Sequence, residues 1–300
     1  MHFKTTFFLL LALAVLAGVL WISSDAPPRA VRTRSVARKL LPLEPEKIKY
    51  VSFSREGNFI TCHHEQGQWM LHKPLLARAD AERINRLLAG LEMLVVNETI
   101  SAAQRQARNL TLADYGLDNP RARLVIGDAE RRYLLAVGQD APLKNSVYVQ
   151  LDNGDDVLAT STNLWAIIPR EVAELRDHRL LQGSAFYVRR LDLRCPPGPL
   201  LQLVKEGSEW VLNKPLLARA DAGKVAALLE QLFALTAREF VTETMSDPAA
   251  YGLNDDELRL QVSLWQEGEN NVERLLFGQP VYAESNALYA AHRDAHTVFT

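Results

Sequence analysis

Trp69-Met70-Leu71-His72-Lys73-Pro74-Leu75-Leu76-Ala77-Arg78-Ala79-Asp80-Ala81 returns 141 residues later as Trp210-Val211-Leu212-Asn213-Lys214-Pro215-Leu216-Leu217-Ala218-Arg219-Ala220-Asp221-Ala222. Eleven of the thirteen positions are identical. A period this long lies outside the roughly 20–50 residues of solenoid repeats, so the chain reads as two tandem copies of a whole domain. The 300 residues suffice for two domains at about 100–200 residues each.

Downstream of the doubled stretch the pattern becomes helical. Asp80 is placed to accept hydrogen bonds from the free amides of a first helical turn. Ile84, Leu87, Leu88, Leu91 and Leu94 then recur at the spacing of one buried helix face. Asp221, Val225, Leu228, Leu229, Leu232 and Leu235 repeat this in the second copy. Upstream, Ile48, Tyr50 and Ser52 are expected on one strand face, Glu56-Gly57-Asn58 makes a turn, and Ile60, Cys62 and His64 share a face of the next strand. Gln66-Gly67-Gln68 turns the chain again. Short strands are expected over Val95 to Ser101 and Arg238 to Thr242, followed by one-turn helices ending in Tyr115-Gly116-Leu117 and Tyr251-Gly252-Leu253. The remaining strands fall at 122–126, 133–137, 147–151 and 157–160, and at 258–264, 272–277, 287–291 and 298–299. Each copy is thus expected to be α+β, a mainly antiparallel sheet with one principal packed helix.

The copies end differently. Copy one continues through Leu164, Ile167, Ile168, Val172, Leu175 and on to Leu181 in an amphipathic helical stretch interrupted at Pro169. Copy two reaches Thr300, the counterpart of Ala159, without about twenty residues that its twin has for covering the sheet. The expected functional surface is that incomplete face or the cleft between the copies, because uncovered apolar faces and inter-domain clefts are common binding sites.

The amino terminus has a different character. Phe7 to Ile22 is a run of sixteen apolar residues, and Thr5 to Ser24 carries no charge over twenty, about the length a helix needs to cross a bilayer. The run is long for a signal-peptide core and lacks a good cleavage site. We therefore read residues 1–24 as a retained transmembrane anchor that meets the lipid bilayer through residues 5–24. Residues 25–44 read as a basic, Pro-containing linker, 45–182 as repeat domain one, and 183–300 as a C-terminally shortened repeat domain two. Five basic residues after the span (Arg29, Arg32, Arg34, Arg38, Lys39) favour a cytoplasmic bulk. Against that, long domains translocate largely regardless of charge, and a short basic head before an apolar run is the ordinary export signal.

Composition excludes some chemistry. Lys plus Arg is 34 and Asp plus Glu is 36, for a net charge of −2, so no basic excess exists to hold a nucleic-acid backbone. Cys62 and Cys195 are too few for a disulfide scaffold or a zinc site; they read as partly buried free thiols, with an inter-repeat disulfide left open. His292 and His296 are four apart, but the repeat sets them at a hairpin turn rather than on a helix, against metal binding. His63 and His64 are adjacent on a strand and point to opposite faces. His72 becomes Asn213 in copy two and reads as a polar turn position. No nucleophile elbow or phosphate-binding glycine loop is present in the sequence. No catalytic, cofactor or metal residue is therefore assigned, and no cofactor is expected. Asn97-Glu98-Thr99 and Asn109-Leu110-Thr111 fit a glycosylation pattern that matters only in a eukaryotic secretory setting. Lys73, Arg78, Lys214 and Arg219, close before helix N-termini, are the candidates for an anion or partner contact. The alternative is a purely structural motif of buried Trp, bend-setting Pro and helix-capping Asp.

The ordered motifs Trp-x-Leu-x-Lys-Pro, Ala-Asp, Leu-Leu-x-x-Leu, Asp-Pro-x-x-Tyr-Gly-Leu and a strand-closing Gly resemble a bacterial family, domain of unknown function 4340, over about residues 45–300. Copy one departs at Leu112, where Pro is expected. The resemblance implies one N-terminal membrane helix and genes beside gliding-motility-type ABC transporter components. It thereby implies a single-pass protein of the bacterial inner membrane with its bulk outside the cytoplasm. The function it implies is that of a non-catalytic envelope protein, an accessory or scaffold of an ABC-type transport assembly. The alternative is an envelope polysaccharide-binding or -hydrolysing protein.

Overall fold

The computed structural model describes residues 38–300 apart from 129, 143, 269–271 and 283–285. The expected anchor, and the linker up to residue 37, lie outside the described residues. Among the described residues no helix is long and apolar enough to cross a membrane. The chain divides into two units at Arg176 and Asp177, and each unit carries one nine-stranded antiparallel sheet.

In unit 1 the first four strands form a meander: β1 (Tyr50–Arg55), β2 (Asn58–Glu65), β3 (Gln68–Lys73) and β4 (Ala77–Arg78). Two-residue loops at Glu56-Gly57 and Gln66-Gly67 connect β1 to β2 and β2 to β3, and all four residues have positive φ. That is the twist-matched hairpin geometry. Helix α1 (Ala81–Glu92) then joins β4, at one edge of the sheet, to β5 (Glu98–Ile100), at the other. It is capped by Asp80, whose carboxylate accepts from the Arg83 amide at 3.1 Å, and it buries Ile84, Leu87, Leu88 and Leu91. Next come α2 (Ala102–Ala107), β6 (Ala122–Gly127), β7 (Arg132–Asp140), β8 (Ser146–Leu151) and β9 (Val157–Ser161). The strand order is β4-β3-β2-β1-β6-β7-β8-β9-β5, so β6 returns to pair with β1. Helix α3 (Leu164–Ile167) follows β9.

Unit 2 repeats the order with β10 (Val188–Arg194), β11 (Leu200–Glu206), β12 (Glu209–Lys214), β13 (Ala218–Arg219), α4 (Ala222–Phe233), β14 (Phe240–Thr242), β15 (Leu260–Gln266), β16 (Glu273–Pro280), β17 (Leu288–His292) and β18 (Val298–Phe299). The cap recurs, from the Lys224 amide to Asp221 at 3.1 Å.

Each sheet packs its principal helix on one face, the core face, and a smaller cluster on part of the other. In unit 1 the smaller cluster is Ile100, Tyr115, Leu117, Ala136 and Val157; in unit 2 it is Leu253, Leu258, Leu276, Ala291 and Val298. Gly116 and Gly252 end their turns in the left-handed region (φ 67° and 66°), which favours glycine. They set Tyr115 edge-on to Tyr148 at 4.8 Å and Tyr251 edge-on to Tyr289 at 5.1 Å.

Several sequence expectations need correction. The first unit begins before residue 45, because Leu40, Leu41 and Leu43 are buried in its core. The Leu40 amide donates to Leu94 O, and the Leu180 amide donates likewise to Leu235 O. Arg38–Leu41 and His178–Leu181 are thus equivalent openings, which moves the start of the second unit ahead of residue 183. The stretch from Leu164 to Leu181 is not a long broken helix. It is the single turn α3 and a 3-10 turn over Val172–Leu175, joined through extended backbone at Pro169. Helix α2 was not anticipated; its signal is the capping box of Ser101 and Gln104. His72 lies in β3 rather than in a turn.

Candidate functional site

Each cation of the doubled stretch has its own surroundings within its unit. Lys73 ends β3 with its ammonium 5.4 Å above the Phe59 ring, lining a hollow of about 600 Å³ with Asn58, Glu171 and Val172. Arg78 faces Met70 across the β3–β4 pair. In unit 2, Lys214 is exposed, and Arg219 pairs with Glu209 at 2.7 Å on the surface. The rest of the stretch is architecture. Trp69 and Trp210 are buried, and the Ala79 and Ala220 amides donate back to Trp69 O and Trp210 O at 2.9 Å.

The histidines arrange themselves in a way the sequence reading missed. Strand register places His63 opposite Tyr50 on β1 and opposite Met70 on β3. His72, two residues beyond Met70, lies diagonal to His63 on the face away from α1. Their rings stack at 4.2 Å with an interplanar angle of 25°. Glu65 shares the face, its Oε1 3.0 Å from His72 Nε2 and 3.7 Å from His63 Nδ1. The available signal was His63-x-Glu65 alternation plus the two-residue Gln66-Gly67 loop, which fixes the register. His64 points the other way, against Trp69 and within 3.1 Å of Lys49 Nζ. Its pKa is lowered by partial burial and by that lysine. Partial burial and His72 lower that of His63 too, with Glu65 opposing. His292 ends β17 and His296 sits in the turn that follows, as the repeat implied.

The largest asymmetry between the units lies on the core face. In unit 1, residues 162–176 lie over it. Leu164, Ile168 and Leu175 are buried in the core, and Ile167 rests against Gly90 of α1, where a Cβ would meet it at 3.1 Å. The buried Arg55 guanidinium donates from Nη1 to Trp165 O at 3.1 Å and to Ile168 O at 3.0 Å. Arg121 stacks over the Trp165 ring at 4.7 Å. The Asp80 amide donates to Leu175 O at 2.8 Å, and Ala79 bridges to Arg176.

Nothing equivalent covers unit 2 among the described residues. Phe53, Ile60, Leu71, Leu87, Ala122 and Val137 are buried in unit 1, whereas their register counterparts Leu193, Leu201, Leu212, Leu228, Leu260 and Phe277 are only partly buried. Leu216 is 59% exposed where Leu75 is partly buried, whereas Leu217 and its counterpart Leu76 are both exposed, at 77% and 74%. The position of Gly90 is Gln231, which is exposed. Single exposed apolar side chains need no explanation, but six on one face that are buried in the twin unit set this face of unit 2 apart.

No curated protein and no solved structure matches the chain. The sequence profile described as "Domain of unknown function (DUF4340)" matches residues 69–211 and again 210–300. Each match starts at the doubled tryptophan, in the third strand of its unit, so the profile is phased differently from the folded repeat. Together the two matches span most of the chain: the chain belongs to this family of unknown function.

Proposed function

We propose that the protein is a non-catalytic scaffold, tethered by residues 5–24 to the bacterial inner membrane with its two sheets outside the cytoplasm. In this reading unit 2 receives a segment of a partner within an ABC-type transport assembly. The observation that carries it is the open core face of unit 2. Unit 1 supplies the chemistry of the occupant, because its own face holds a polypeptide segment. That segment brings three buried aliphatic side chains, carbonyls turned toward the sheet and a short strand-like contact at the helix cap. A partner segment of that kind would bury apolar side chains at about 25 cal/mol per Å². It would also find the edge of β13 ready for pairing.

The test is purification of the tagged full-length chain from membranes in mild detergent, with co-purifying subunits identified by mass spectrometry. Recovery of ATPase and permease subunits, lost on Leu201→Asp and Phe277→Asp substitution, is the expected result. Unchanged recovery with those substitutions refutes the docking face. Self-association through the face, or release of glycan from envelope polysaccharide by the purified chain, refutes the scaffold reading. A topology reporter fused at Thr300 must read as external; a cytoplasmic signal overturns the placement.

A further inference from the structure

We infer that His63, Glu65 and His72 form a binding site for a divalent transition-metal ion of the zinc class on the exposed face of β2 and β3. This inference is independent of the docking face on unit 2. The potential ligand atoms of the three side chains lie within 4.8 Å of one another. Ligands on a common tetrahedral ion at about 2.0–2.1 Å would sit about 3.3 Å apart. Small rotations of side chains that are 34–50% exposed close that difference.

Two further observations favour an ion over a merely stacked pair. His72 Nε2 is buried and makes no hydrogen bond, although Glu65 Oε1 lies 3.0 Å away. A cation held between the imidazole and the carboxylate would satisfy both groups. The rings are also held in place. Tyr50 meets His63 edge-on at 5.0 Å, and Arg132 lies 5.2 Å over the Tyr50 ring. Two imidazole nitrogens and one carboxylate oxygen suit zinc, cobalt or nickel better than magnesium or calcium. Three protein ligands leave a fourth position for water or an incoming group.

The chain contains its own control. In unit 2 the corresponding residues are Val204, Glu206 and Asn213, so only the carboxylate remains. His63→Val and His72→Asn therefore place in unit 1 side chains that the same strand positions carry in unit 2.

The experiment titrates the detergent-solubilised full chain with Co2+, reading its visible absorption, and then displaces it with Zn2+. One equivalent with the absorption of nitrogen and oxygen ligation is expected. Each histidine substitution should weaken binding about tenfold or more, with Glu65→Gln having a smaller effect. Circular dichroism identical to the parent excludes misfolding as the cause. The double variant accounts for the remaining histidines. If it binds Co2+ as well as the parent does, or if the parent gives no absorption, the site does not exist.

Discussion

The core face of unit 1 and the core face of unit 2 are built from one template and finished differently. Both present a capped amphipathic helix across nine antiparallel strands, with a buried tryptophan under the helix start. Unit 1 then lays residues 162–176 over the strand ends, and its apolar side chains there reach full burial. The same positions in unit 2 stop at partial burial. Side-chain identity alone does not produce this difference, since Leu71 is buried and Leu212, in the matching place, is not. Burial here is set by a segment remote in sequence, so two nearly identical stretches can serve a closed core in one unit and a surface in the other.

The comparison is most exposed to failure at its centre. Phe53 in unit 1 and Leu193 in unit 2 occupy one register position, the first buried and the second partly open. Phe53→Ala should cost about 3–5 kcal/mol, by lost transfer free energy and a cavity that the cover prevents from collapsing. Leu193→Ala should cost about 1–2 kcal/mol, because its side chain already meets solvent. Hydrogen exchange on the full chain, read separately for the strands of each unit, measures both. Equal costs would show that unit 2's face is closed in solution.

A smaller effect is expected where the cover touches the helix. Gly90→Gln installs in α1 the residue that α4 carries, and its Cβ would press on Ile167. The overpacking should cost about 1–3 kcal/mol and raise exchange over residues 162–176. The reverse change, Gln231→Gly, should cost only the helix propensity of glycine, about 1 kcal/mol. A silent Gly90→Gln would mean that the cover adjusts freely and does not lock unit 1.

The caps should behave alike, which makes them the control for the contrast. Asp80 and Asp221 each accept from an amide three residues on, at 3.1 Å. Replacing either by Ala should cost about 1 kcal/mol, seen as a similar fall in the stability of each unit.

Much of this was legible in the sequence, and the illegible parts have physical reasons. The repeat, the caps and the helix stripes are local patterns, and local patterns survive without tertiary context. The strand positions in the second half of each copy followed from alternation. The openings Arg38–Leu41 and His178–Leu181 were hidden because the burial of their leucines depends on pairing with the residues just past the principal helix. The His63–Glu65–His72 cluster joins side chains of two strands, and hairpin register sets the three on one face, a relation that adjacency along the chain, as in His63-His64, does not display. Gly90 was a further signal. A glycine inside a strong helix costs about 1 kcal/mol relative to alanine, and the close approach of Ile167 accounts for its presence.

The smallest test concerns the two thiols and costs no stability at all. Cys62 is fully buried and free, and burial pushes its pKa up to about 12. Thiolate is the reactive form, so Cys62 should resist modification near neutral pH until the unit unfolds. Cys195 is free and exposed, and it follows β10 in the place where unit 1 has Arg55 beneath its cover. A thiol-specific reagent should therefore modify one cysteine in the folded chain and two in denaturant, with Cys195→Ser removing the native reaction. Because Cys195 borders the open face, a bound partner segment should slow its labelling severalfold while leaving Cys62 unreactive. Labelling of Cys195 that is indifferent to the assembled partner would place the contact elsewhere on unit 2, and early labelling of Cys62 would show that unit 1's cover opens without unfolding.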